Sequence, residues 1–129
     1  AIAQYQRLIE LQPDSADSFN NLALALQQQQ QTEAAIAAFQ QALTLRPNFP
    51  GVLNNLGNLL LENKRLDEAI AAYQQAIEQR PNYPEAMNNL GNALQQKGDL
   101  EGAVAQYRQA LELRPTFVEA LSNLGAVLK

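Results

Sequence analysis

Nine asparagines are the residues of this chain best placed to do chemistry, and they fall on a lattice. Asn20-Asn21, Asn54-Asn55 and Asn88-Asn89 are tandem pairs spaced 34 residues apart, and Ser122-Asn123 continues the series. Asn58 and Asn92 sit one helical turn beyond two of the pairs, on the same face. A side-chain amide donates and accepts at once. It can therefore match the N–H and C=O of an extended peptide whatever that peptide's side chains. Asparagine is a mediocre helix former, ~0.5 kcal/mol below alanine, so a periodic set of them on helices calls for a reason. Other chemistry has little to work with. Histidine and cysteine are absent and there are only three serines. That excludes a disulfide framework and thiolate or imidazole metal sites. Carboxylates such as Asp67 and Glu68 open a helix, where the dipole accounts for them. The glycines lie inside apolar stripes rather than in a phosphate loop. No catalytic residue, cofactor or metal is expected, and the chain is read as a non-enzyme.

The elements that must position these amides repeat with them. The same 34-residue step links Pro13, Pro47, Pro81 and Pro115, then Ala1, Ala35, Ala69 and Ala103, then Tyr5, Phe39, Tyr73 and Tyr107. A period of this size marks stacked units that bury a core only against their neighbours. In the unit from 50 to 83, apolar residues fall at Val52, Leu53, Leu56, Leu59 and Leu60, then at Leu66, Ala69, Ile70, Tyr73, Ala76 and Ile77. Spacings of three and four predict two amphipathic helices, divided at Asn63-Lys64-Arg65. Pro50 and Pro84 suit a first helical position, where the missing N–H does no harm. Asp17, Glu85 and Glu119 belong to the first turn of the first helices, and Glu33, Asp67 and Glu101 to that of the second. Arg46, Arg80 and Arg114 mark the opposite ends, each followed by a proline. Gly57, Gly91 and Gly125, with Ala23 in the earliest copy, would face Ala35, Ala69 and Ala103 where helix backbones approach closely. Phe49, Tyr83 and Phe117 would pack between units. The glutamine run Gln27 to Gln31 reads as a solvated helix face followed by a turn.

Three complete units result: 16–49, 50–83 and 84–117. Residues 1–15 look like the second helix of a preceding unit and 118–129 like the first helix of a following one, as if the chain were cut from something longer. With 129 residues, length alone would suggest one globular domain, but a solenoid has no single central core. The nine basic residues are scattered and outnumbered by thirteen acidic ones, giving a net charge of −4, so nucleic acid is set aside. No apolar run reaches membrane-spanning length, and no membrane partner is expected. No signal peptide is visible. The cytoplasm is the expected compartment, with which the absence of cysteine is compatible.

These positions resemble the tetratricopeptide repeat family over nearly the whole chain. The resemblance implies an all-α, right-handed superhelical solenoid of antiparallel helix pairs, with the first helices lining a concave groove that holds peptide segments. Departures are small. Ala23 stands where later units have glycine, and Leu8 where others have Ala42, Ala76 and Ala110. Only Gly98 supplies the glycine often seen in the turn between helices, Gln30 and Lys64 replacing it at a strain cost if left-handed.

Two readings of the asparagines stay open. In one, Asn20, Asn21, Asn54, Asn55, Asn58, Asn88, Asn89, Asn92 and Asn123 bind a peptide. That is similar to the asparagine ladder in the repeat arm of the O-linked N-acetylglucosamine transferases, where Asn21, Asn55, Asn89 and Asn123 are the matching positions. In the other, they bridge adjacent helices, since the family also carries asparagine at the places of Asn55 and Asn58. A second binding mode of the family, a Lys/Arg clamp on a terminal carboxylate, is not expected. The first helices carry lysine only at the final turn, as Lys97 and Lys129, and Asn54 or Asn88 stands where the clamp would have lysine. The leading expectation is a protein-interaction module. The alternatives are the targeting arm of a larger enzyme, such as a glycosyltransferase, and a head-to-tail scaffold. In the scaffold, Ile2, Tyr5, Leu8 and Ile9 of one copy would meet Leu121, Leu124 and Leu128 of another.

Overall fold

In the computed structural model, which describes residues 2–11 and 15–129, the chain runs through eight helices. They are α1 (Ile2–Leu11), α2 (Ala16–Gln28), α3 (Thr32–Leu45), α4 (Pro50–Glu62), α5 (Leu66–Gln79), α6 (Pro84–Lys97), α7 (Leu100–Leu113) and α8 (Val118–Val127). Ala1 and Pro13 of the sequence lattice lie outside the described residues, as does the Leu8 side chain. Helices α2 and α3, α4 and α5, and α6 and α7 pack as antiparallel hairpins. Neighbouring first helices touch one another, α2 with α4, α4 with α6 and α6 with α8. The second helices splay apart, so the right-handed solenoid curves with its first helices on the inside.

Local chemistry explains the boundaries. Pro50 and Pro84 begin α4 and α6, and Asp17, Glu33, Asp67, Glu85, Glu101 and Glu119 occupy first turns. Arg46, Arg80 and Arg114 are the C-caps of α3, α5 and α7. Their guanidinium groups lie 4.1, 4.5 and 5.0 Å from the ring centres of Phe49, Tyr83 and Phe117. The aromatics after each proline are thus wedged between units under an arginine lid. Arg46 also pairs with Asp17 and Arg114 with Glu85, each at the opposite end of its own unit, whereas the corresponding partner of Arg80 is Gly51. Gln79 latches the loop between units, its Oε1 accepting from the Phe49 N–H at 3.0 Å and its Nε2 donating to the Pro47 carbonyl at 2.9 Å.

The core is a spine of small and aromatic residues. Ala35, Ala69 and Ala103 are fully buried, as are Phe39, Tyr73 and Tyr107. Gly57 and Gly91 touch those rings rather than a neighbouring backbone. A Cβ added to Gly57 would stand 2.6 Å from Tyr73 Cε1, and one added to Gly91 would stand 2.5 Å from Tyr107 Cε1. Ring atoms, rather than the backbone of a neighbouring helix, are therefore what lies nearest each glycine. Gly125 has nothing within 4 Å of an added Cβ, and the packing reason does not extend to it.

The turns inside the hairpins are not equivalent. Gly98 has φ 96°, while Gln30 and Lys64 occupy the same turn position at φ 60° and 62°. A side chain strains that left-handed backbone, and glycine does not. Lys64→Gly is therefore expected to stabilise the chain by about 0.5–1 kcal/mol, net of the extra freedom glycine gives the unfolded state. Denaturant midpoints at an unchanged m-value check this.

Candidate functional site

The asparagine pairs open the groove-lining helices, and their amides join across the units. Asn55 Nδ2 donates to Asn20 Oδ1 at 3.3 Å, Asn89 Nδ2 to Asn54 Oδ1 at 3.1 Å and Asn123 Nδ2 to Asn88 Oδ1 at 3.0 Å. The second amide of each pair reaches back to the first amide of the pair before, 35 residues away rather than 34. Each first helix therefore meets the preceding one through the second asparagine of its pair and the following one through the first. Burial divides the set. Asn88 is 2% exposed, Asn21 is exposed, and Asn20, Asn54, Asn55, Asn89 and Asn123 are half-buried. Among the described residues, the Oδ1 atoms of Asn55, Asn89 and Asn123 accept no hydrogen bond, and each Nδ2 has a second N–H to give.

Asn58 and Asn92 have a different attachment. The Tyr73 hydroxyl donates to Asn58 Oδ1 at 2.5 Å, and the Tyr107 hydroxyl lies 2.6 Å from Asn92 Oδ1 and 3.0 Å from Gln95 Oε1. Each tyrosine thus crosses its hairpin beneath a glycine and ends on the groove. Three positions change together. The second and third units have Gly57-Asn58 with Tyr73 and Gly91-Asn92 with Tyr107, while the first has Ala23-Leu24 with Phe39. Where the hydroxyl is missing, its acceptor is missing too. That covariation was readable inside the sequence and identifies the partner that a bare asparagine at this position does not reveal.

Burial raises both hydroxyl pKa values. Tyr107 is pushed up to about 12, and Tyr73 rises further, by burial first and then by the Glu62 carboxylate. The folded state then holds these protons more tightly than the unfolded chain. Stability is complete below about pH 10 and falls as pH rises through 12, by up to ~1.4 kcal/mol per unit for each ring. Thermal melts between pH 9 and 12 should show the fall, and Tyr73→Phe/Tyr107→Phe should flatten it.

Two hollows line the groove between successive first helices. One, of about 380 Å³, is bounded by Leu24, Gln27, Asn55, Asn58, Leu61, Glu62 and Asn89. The next, of about 390 Å³, is bounded by Leu61, Asn92, Gln95 and Gln96. Neither contains a cation. Lys97 Nζ, at the end of α6, pairs with Asp67 instead. Of the residues expected to self-associate, Ile2, Tyr5 and Ile9 are half-buried against the core under α2. At the other end Leu124 is half-buried, while Leu121 and Leu128 are exposed. No helix among the described residues is long and apolar enough to cross a membrane.

A family model described as a TPR repeat matches residues 1–30, 57–98 and 91–129, and two described as tetratricopeptide repeat match 16–49 and 38–71. No curated protein matches the chain. Among solved structures, MamA from Desulfovibrio magneticus RS-1 superposes with a TM-score of 0.89 at 21% identity, over 98% of this chain and 71% of its own. The pilF protein of Pseudomonas aeruginosa gives 0.90 at 27% identity over 96%, and this chain spans 57% of that one. The first TPR of Spaghetti (RPAP3), bound to the HSP90 peptide SRMEEVD, gives 0.84 at 22% identity over 88% of this chain and 90% of its own. With the hairpin spine and its repeat-spaced residues matched by family models over most of its length, the chain belongs to the tetratricopeptide repeat family.

Proposed function

We propose that the concave face holds an extended segment of a partner protein, gripping it mainly by its backbone, with Asn21, Asn55, Asn89 and Asn123 as the rungs. The observation that carries this reading is the half-used amide. Asn55, Asn89 and Asn123 each spend one N–H on the previous first helix and keep a second N–H and a carbonyl oxygen on a half-exposed side chain. The inward bond fixes the amide's orientation before a ligand arrives, which lowers the entropy lost on binding. In this reading Asn20, Asn54 and the buried Asn88 act as anchors behind the rungs, and Asn58 and Asn92 hold the tyrosines. The solved relative with an HSP90 peptide in place supports peptide binding as the general activity. The lining here carries no cation and one carboxylate, Glu62, which argues against an acidic peptide of that kind. Strength should come from several rungs engaged together.

The test is capture from the source lysate on the wild-type chain and on Asn55→Ala/Asn89→Ala. The variant should keep its melting temperature within a few degrees, because the lost bonds are partly exposed and worth about 0.5–1.5 kcal/mol each. Partners lost from the folded variant support the groove. An identical set captured by both forms would sink the reading.

A further inference from the structure

The groove departs from its own repeat at three positions that meet in one place. Position 24 is leucine where the other units have Asn58, Asn92 and Ala126. Position 61 is leucine where the others have Gln27, Gln95 and Lys129, and position 62 is glutamate where the others have Gln28 and Gln96. Leu24, Leu61 and Glu62 all line the same 380 Å³ hollow, with Asn55 and Asn89 along its side. Leu24 and Leu61 are half-buried there, so they offer an apolar surface without sealing it. The Glu62 carboxylate accepts from Gln27 Nε2 at 3.3 and 3.4 Å and pairs with no cation among the described residues. It is the only charged group lining either groove hollow.

We propose that this hollow is the sequence-reading subsite of the groove, and that it selects a partner segment with an aliphatic side chain next to a lysine or arginine. The inference rests on the peptide-binding reading above. Amides repeated in every unit grip a backbone wherever it lies, so they set no register. A single apolar seat flanked by a single unpaired carboxylate does set one. The aliphatic side chain covers Leu24 and Leu61, removing apolar surface from water on both sides. The cation takes the open side of Glu62, where the Gln27 amide already holds the carboxylate in place. An acidic segment would meet Glu62 with no compensating cation in either hollow, and that repulsion enforces the choice.

The test is selection of random dodecapeptides displayed on phage against the immobilised whole chain, followed by anisotropy titration of the winning peptides. The wild type should enrich an aliphatic residue with Lys or Arg within two positions. Glu62→Gln should lose the basic preference and bind the winners up to about fivefold more weakly, an effect that salt reproduces in the wild type. Leu61→Gln should lose the aliphatic preference and bind about tenfold more weakly. Both substitutions install the side chain that sister units carry at the same position, so the fold tolerates them, and Leu24→Asn is a third variant of the same kind. Enrichment of acidic peptides, or preferences unchanged in Glu62→Gln and Leu61→Gln, would overturn the assignment. If Asn55→Ala/Asn89→Ala then still loses the winners, the groove reading survives while this subsite falls. If that variant binds them like the wild type, or nothing is enriched at all, both fall together.

Discussion

Gly91→Ala should destabilise the chain by about 2 kcal/mol, although alanine is the better helix former. Propensity alone favours the substitution by about 1 kcal/mol. Against it stands a Cβ within 2.5–2.9 Å of three Tyr107 ring atoms. That ring is fully buried, and its hydroxyl is tied to Asn92 and Gln95, so it has no free rotation with which to yield. Forcing a methyl into such packing costs about 1–3 kcal/mol, and the tether places this site at or beyond the upper end. Gly57→Ala should behave alike against Tyr73. The first unit supplies the rescue. Its Ala23 and Phe39 are both fully buried, and Leu24 stands at the repeat position of the hydroxyl's acceptor. Gly57→Ala/Asn58→Leu/Tyr73→Phe should therefore recover to within about 1 kcal/mol of wild type, since the three changes relieve one another. Equilibrium denaturation of the single and triple variants decides. A Gly91→Ala chain more stable than wild type would mean that the ring does not limit the site.

Asn88→Asp should cost more, about 3 kcal/mol at pH 7, for almost no change in shape. The Asn88 side chain is 2% exposed and accepts from Asn123. A carboxylate there keeps that bond but must leave water without a cation to compensate it, and uncompensated buried charge is penalised by several kcal/mol. Burial raises the folded-state pKa of the new acid. The deficit relative to wild type is then largest at neutral pH and shrinks as pH falls towards about 4, the ionisation penalty being gone only below about 3.9, where the acid is neutral in both states. Asn54→Asp is the comparison. The half-exposed Asn54 accepts from Asn89 in the same way, and its deficit should stay below about 1 kcal/mol. Equal deficits at the two sites would show that burial does not separate the amides. Thermal melts of both variants from pH 4 to 7 make the measurement.

The solenoid, its hairpins and the groove face were legible because each rests on spacing alone, and spacing survives from one unit to the next. The pairing of the asparagines was not. Whether Asn55 meets Asn20 or Asn21 depends on which flank of each first helix faces its neighbour, and that is set by how whole units pack. Asn88 is buried while its repeat-mate Asn54 is half-exposed, a difference that the Asn-Asn-Leu-Gly-Asn run they share does not encode. The glycines were legible as places of close approach, but an aromatic ring meets them rather than backbone, because the tyrosine reaches across to the groove. In that case the signal was present. The joint change at Ala23, Leu24 and Phe39 names the ring, the glycine and the acceptor as one group.

The unequal hairpin turns give the array a direction of assembly. In a chain of nearest-neighbour units, the unit with the most favourable intrinsic term forms first and templates the rest. The α6–α7 hairpin has glycine at its left-handed turn residue, and the Asp99 carboxylate accepts from the Gly102 N–H at 2.9 Å to cap α7. The two earlier hairpins force Gln30 and Lys64 into that conformation, and α3 and α5 begin without a side-chain cap. Order therefore spreads from the third hairpin back towards the amino terminus, and thermal opening runs the other way. Helices α1 to α3 then open first and α4 after them, so Leu24 on α2 is released before Leu61 and Glu62 on α4.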